Sequence, residues 1–215
     1  MPSYPLLYQV NIRVILNNMS IKLNRVATFD DISDELLSHW ATMGFEWIWL
    51  LSVWQLGPAA KEISRADPAL RTELHSILPD LSDEDIGGSG FAIQSYTISR
   101  ELGGDQSLAR LRERMKLHGL KLMLDFVPNH VAPDHAWLIN YPEYFILGSE
   151  TDLESQPHNY RRVSTTAGER IVALGRDPNF QGWQDTLQLN FGNPELQSAM
   201  LNELQRAAHA CDGLR

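Results

Sequence analysis

The first apolar cluster along the chain is β-branched: Val10, Ile12, Val14 and Ile15 lie close together and predict a strand over 7–15. Ile32, Leu36, Trp40 and Met43 follow at spacings of four, four and three, the period of a helix with one apolar face. Asp30 or Asp31 can cap that helix, and Gly44 supplies a left-handed stop. Residues 46–51, Glu-Trp-Ile-Trp-Leu-Leu, have no solvent face and predict a strand buried on both sides. Strand, helix and buried strand in that order make a right-handed βαβ unit. Residues 52–103 are rich in Gly, Pro, Asp and Ser and read as irregular, except for a helix over 68–78. Leu108, Leu111 and Met115 then mark a helix over 105–118, capped by Asp105 and ended by Gly119. A strand over 120–127 is halted by Pro128. Over 129–188 aromatic residues are dense and periodicity is low. So long a structureless stretch does not fit inside a compact fold, so an inserted subdomain is predicted there. Asn193 caps a last helix, with Pro194 at its first position and Leu196, Met200, Leu204 and Ala207 facing inward. Residues 211–215 start another strand.

Three βα units and the start of a fourth strand make this an α/β chain, with long loops after the strand C-termini. Such loops fit a (β/α)8 barrel and also a doubly wound open sheet. The dinucleotide fingerprint is absent: Gly87-Gly88-Ser89-Gly90 precedes no helical pattern, and Gly103-Gly104 only introduces one. The barrel is therefore favoured, and 215 residues with a large insertion do not complete eight strands. The expected fold is the N-terminal half of a (β/α)8 TIM barrel with a small subdomain inserted after strand 3. Residues 1–128 would carry strands 1–3 with helices 1 and 2, residues 129–188 the subdomain, and residues 189–215 helix 3 and the start of strand 4.

Composition narrows the function classes. A net charge of −9 argues against nucleic acid or an anionic membrane as partner. The single cysteine, Cys211, makes no intrachain disulfide. Residues 1–10 carry no basic leader, and no apolar run reaches the roughly 18 residues of a membrane span, so a cytoplasmic protein is expected.

The densest chemistry lies at 125–130, Asp-Phe-Val-Pro-Asn-His, where a carboxylate, an amide and an imidazole close a buried strand. A buried carboxylate must be hydrogen-bonded, so Asp125 is either a brace for the loop or part of a site at the strand mouth. A lone His130 is more often a structural hydrogen-bonder than a ligand. Asp125, Asn129, His130, Asp134 and His135 crowd together, but the histidines are five apart and form neither His-x-His nor His-Glu-x-x-His. Calcium held by Asn129 and backbone oxygens fits these residue types better than a transition metal. Trp47 and Trp49 read as core packing. Of the aromatics in the insert, including Phe180 and Trp183, one or two can stack on sugar rings.

Four segments occur in a telling order. Gly90-Phe91-Ala92-Ile93-Gln94-Ser95-Tyr96-Thr97-Ile98 with Leu102-Gly103-Gly104 comes first, then Asp125 to His130. Leu187-Gln188-Leu189-Asn190-Phe191-Gly192-Asn193-Pro194 and Gly213-Leu214-Arg215 complete the set. Together they resemble the α-amylase family, glycoside hydrolase family 13. The resemblance implies cleavage or transfer of α-glucosidic bonds in starch, glycogen, maltooligosaccharides or related glucosides, with retention of configuration. That chemistry uses two carboxyl groups roughly 5–5.5 Å apart.

In the family pattern the nucleophilic Asp follows the Arg matched by Arg215 by two residues, and the general acid lies on the fifth strand. No catalytic carboxylate is thus expected among these residues, and the chain alone is expected to be inactive. By match, His130 would hydrogen-bond sugar hydroxyls at the cleavage point, and Arg215 would keep the nucleophile ionised. Phe91 stands where a stacking Tyr is usual, so the ring face is kept and a hydroxyl is lost. Asp125 and Tyr96 would support the strand ends, and Asn129 would anchor the subdomain, often through calcium. Gln188 stands where the closing block often carries a calcium-binding Asp, and Ser95 where an Asp is common. The expected partner is an α-glucan or a small α-glucoside. Two rivals remain: a non-catalytic carbohydrate-binding or interaction relative, and a metal-dependent barrel hydrolase.

Overall fold

The β-branched run at the N-terminus is divided by one side chain. In the computed structural model, which describes residues 4–215, β1 (Leu7–Asn11) stops where the Asn11 side chain accepts the Val14 N–H. That cap starts α1 (Ile12–Leu23), so the strand expected over 7–15 is half strand and half helix. β-Branching disfavours a helix by well under about 1 kcal/mol per residue, and burying Ile12 and Leu16 one turn apart outweighs it. The next helix, α2 (Asp34–Thr42), is capped by Ser33 rather than by Asp30 or Asp31. Those two aspartates pair with Arg110 and Arg25 instead. Leu37 and Trp40 form its buried face and Met43 turns to solvent, while Gly44 takes the expected left-handed stop at φ +88°.

β2 (Trp47–Leu51) follows as expected. The stretch read as irregular contains β3 (Trp54–Leu56), α3 (Pro58–Ala66), α4 (Pro68–Ile77) and β4 (Ile93–Ile98). α4 is the helix expected over 68–78, and Pro58 and Pro68 each sit in the first turn of a helix, where a missing N–H costs nothing. α5 (Gly104–Leu117) begins behind a left-handed Gly103. Asp105 does not cap it and instead accepts the Ile98 N–H at 3.3 Å. β5 (Lys121–Leu124) and β6 (His130–Val131) come next, then α6 (Ala136–Asn140), β7 (Leu147–Gly148) and α7 (Glu150–Ser155). A hairpin of β8 (Tyr160–Thr165) and β9 (Gly168–Ala173) leads to β10 (Leu187–Gln188), α8 (Pro194–Ala210) and β11 (Gly213–Leu214). Asn193 does cap α8, accepting the Glu195 N–H at 2.8 Å.

The chain forms two compact units. The first takes the described residues up to Gln55 together with Tyr96–Phe126 and Leu201–Arg215. Its sheet runs β1-β2-β5-β11, all parallel, with Val10 opposite Leu50 and Leu50 opposite Leu124. Ile48, Leu50, Leu122 and Leu124 share one face of the sheet and are wholly buried, and Leu108, Leu111 and Met115 of α5 are buried too, whereas on the opposite face Trp47, Leu51 and Met123 are only half-buried. The second unit joins Leu56–Ser95 to Val127–Met200, so residues 129–188 share it with α3 and α4. It holds the antiparallel sheet β7-β9-β8 and the short pair β10-β6. Among the described residues no helix is long and apolar enough to cross a membrane.

Candidate active site

In the first unit the chemistry begins where β5 ends. Asp125 is 1% exposed, and both of its oxygens are engaged. One accepts the Trp49 indole N–H at 2.9 Å and the other the Ser52 backbone N–H at 3.0 Å. The Asp125 carbonyl accepts the Trp54 indole N–H at 2.8 Å. Ser52 is one of the few non-glycine residues with positive φ, at 70°, a conformation costing roughly 1–2 kcal/mol. Arg13 on α1 holds that turn: its Nε donates to the Ser52 carbonyl (3.0 Å) and hydroxyl (3.1 Å), and its Nη2 to the Trp54 carbonyl (3.2 Å). Glu101 takes the remaining arm at 3.2 Å.

Arg215 joins the same cluster. Its main chain continues the β11 pairing, donating to the Leu124 carbonyl and accepting the Phe126 N–H, both at 2.9 Å. Its guanidinium lies over the Trp49 ring, 4.8 Å from the centroid. Burial raises the Asp125 pKa, opposed by the Ser52 and Trp49 hydrogen bonds and then by the Arg215 charge. Tyr96 is buried, with its ring against Trp54 at 5.3 Å and Phe126 at 5.2 Å. A carboxylate gripped in this way fixes the strand ends; it has no free oxygen with which to attack a substrate.

In the second unit His130 sits on β6 opposite Gln188 of β10 and is 7% exposed. Its Nδ1 faces the Asn129 side-chain nitrogen at 3.2 Å, and its ring hydrogen-bonds the Phe91 backbone. The Trp183 ring lies 5.2 Å away. Burial pulls the His130 pKa down to about 4, with the Phe91 bond and the Asp177 charge working the other way, so the imidazole is neutral near pH 7. Gly175 is required beside it: a Cβ there would lie 2.7 Å from His130 Cβ and 2.5 Å from Thr186 Oγ1. Phe91 is half-buried, whereas Trp183 and Phe180 leave ring faces open, at 39% and 69% exposure.

Asn129 is committed to Gln188. The Gln188 Nε2 donates to the Asn129 side-chain oxygen and to the Asn129 carbonyl, each at 2.9 Å. This does not suit a cation, because the oxygens it would need already receive N–H groups. Of the other residues that suggested a metal, His135 and one oxygen of Asp134 are engaged, while Asp134 Oδ1 is buried without a partner. The His135 ring accepts the Trp137 N–H at 3.2 Å, and Asp134 accepts the Ala59 N–H at 3.1 Å. Among the described residues no group of three or more His, Cys, Asp or Glu could hold a metal ion.

Asp125, Tyr96 and Arg215 thus fall together in the first unit, and Phe91, Asn129 and His130 in the second. Sequence reasoning missed Trp49, Ser52 and Arg13. Trp49 read as core, and the one usable signal was its indole N–H, a donor that a buried tryptophan must satisfy. Arg13 gave none, since its partners are 39 and 88 residues away.

Comparison with known proteins agrees with the resemblance. The family described as "Alpha amylase, catalytic domain" matches residues 34–215. An alpha-1,4-glucan:maltose-1-phosphate maltosyltransferase of Cereibacter sphaeroides is 32% identical over 147 residues, which is 65% of this chain and 22% of that protein. An alpha-glucosidase of Culex pipiens is 29% identical over 119 residues, covering 51% of this chain and 20% of its own length. Among solved structures, an alpha-amylase from Lactobacillus plantarum has a TM-score of 0.62 at 22% identity, covering 98% of this chain and 37% of that one. The chain spans about a fifth of the length of these curated relatives. With the parallel sheet, these likenesses bear out an α/β fold that is part of a (β/α)8 barrel.

Proposed function

Since the chain belongs to the α-amylase family, we propose that the protein is a retaining glycosidase or transglycosidase acting on α-glucosidic bonds of α-glucans or small α-glucosides. The observation that carries this reading is the pair at the ends of neighbouring parallel strands, where buried Asp125 and the Arg215 guanidinium meet on the Trp49 indole. Working sites of such barrels lie at strand C-termini.

In this reading Asp125 positions and does not react. It fixes the end of β5, against which Arg215 is paired, and Arg215 supplies the positive charge that keeps a nucleophilic carboxylate ionised. The family pattern has that carboxylate two residues further on. Attack on the anomeric carbon forms a glycosyl–enzyme bond while a carboxylic acid gives its proton to the departing glycosidic oxygen. Water or a sugar hydroxyl, deprotonated by the same group, then displaces the enzyme, and two inversions amount to retention.

His130 has a role that its depressed pKa suits. A neutral imidazole can exchange its Phe91 hydrogen bond for one to a sugar hydroxyl without setting a second positive charge beside the oxocarbenium-like transition state. Phe91 and Trp183, in the same unit as His130, offer ring faces to a glucose.

The test is turnover of maltooligosaccharides by the intact protein and its Arg215→Ala variant. Loss of one charged hydrogen-bonding partner should lower kcat/KM about 10–100-fold, while the exposed position leaves the fold intact. Unchanged turnover in Arg215→Ala would sink the proposal. Glucan binding without turnover by the wild type would select the carbohydrate-binding relative instead.

A further inference from the structure

The junction between Asn129 and Gln188 is built as an ion site is built, yet its centre is a nitrogen. Three oxygens converge on Gln188 Nε2: the Asn129 side-chain oxygen and the Asn129 carbonyl at 2.9 Å, and the Leu189 carbonyl at 3.4 Å. We infer that this amide nitrogen does the bracing a calcium ion would otherwise do, so that the junction carrying His130 is held without a cation.

The distances and the donor set support this. Calcium takes oxygens at about 2.3–2.6 Å and prefers several carboxylates. Here the separations are those of N–H···O bonds, and every contributing group is a neutral amide or carbonyl. The orientation of the amide is fixed from its other end, where Gln188 Oε1 accepts the Arg176 N–H at 3.4 Å. Turning the amide over would set its oxygen against three oxygens and its NH2 against an N–H. The Asn129 carbonyl is saturated as well, since it also accepts the Leu189 N–H at 3.1 Å. A cation would have to expel the amide and would find no charge to replace it.

The clamp acts directly on a candidate substrate residue. Gln188 is the register partner of His130 on β6, and Asn129 is its chain neighbour and meets its ring. The same side chain therefore closes the loop and sets the backbone position of the imidazole. This inference concerns the brace alone and stands whether or not the protein turns over α-glucosides.

The experiment is thermal melting of the intact protein with a chelator, without additions, and with millimolar calcium. The wild-type Tm should be the same in all three. A wild-type Tm that rises with calcium or falls with the chelator would overturn the inference, and this arm needs no variant. Gln188→Glu keeps the shape, removes the donors and puts a charge against the three oxygens. Its Tm should fall by about 5 °C, a loss on the scale of two or three hydrogen bonds in a chain of this size. Calcium should then recover part of that loss. A Gln188→Glu protein as stable as wild type without calcium would equally contradict the assignment.

Discussion

Two polar junctions hold the candidate site residues, one in each unit, and they are built from opposite materials. In the first, a buried charge is held by indole and backbone N–H groups, with the Arg13 and Arg215 guanidiniums bracing the strand ends around it. In the second, amides and main-chain groups hold a histidine that burial keeps neutral. The difference follows from the scaffold. Parallel strands present their ends side by side, so one carboxylate at the end of β5 can reach two donors at the end of β2, one for each oxygen. The short antiparallel pair β10-β6 has only two residues of register, and its loops need donors and acceptors supplied by side chains. Charge is tolerable where each carboxylate oxygen meets a donor, and neutral groups serve where the frame is sparse.

The contrast can be broken most sharply at its two centres. Asp125→Ala leaves the Trp49 and Ser52 N–H groups buried without acceptors, and chemical denaturation should show a loss of roughly 3 kcal/mol. Gln188→Ala leaves acceptors short of a donor, and one of them keeps the Leu189 N–H, so about 1 kcal/mol is expected. Equal losses would mean that the charged junction is no more demanding than the neutral one.

Acid should separate the two units as well. His130 and His135 both lie in the second unit with pKa values drawn down to about 4 by burial, against an ordinary 6.5. Their folded pKa is depressed, so the unfolded chain binds more protons and stability falls as pH drops from 6.5 toward 4. At pH 5 each histidine costs about 2 kcal/mol relative to neutral pH. The Asp125 pKa is raised in the folded state, so the same change favours the first unit. Hydrogen exchange at pH 7 and pH 5 should therefore show protection lost first in peptides from 127–200 and later in those from 96–126. Loss spread evenly over both would contradict the burial argument.

How much of this was legible in the sequence follows the same division. β2, β5 and α5 announced themselves because leucines such as Leu120, Leu122 and Leu124 recur at the period of a strand with a buried face and because Gly44 and Gly119 mark the stops. The site residues were found through the segment at 125–130 and its companions, not through periodicity. The helix at Ile12 was hidden because its start depends on one Asn11 hydrogen bond, which no window average registers. The hairpin of β8 and β9 was missed because its exposed face alternates with a core supplied from elsewhere in the chain. The work of Trp49 and Arg13 is created by folding, since their partners lie far along the sequence.

The most direct test is the configuration of the first sugar released from a maltooligosaccharide by the intact protein, followed by proton NMR before mutarotation. Release of the α-anomer is the predicted result, because two displacements at one carbon restore the starting geometry. Release of the β-anomer, or binding with no release at all, would contradict a retaining role for these strand ends.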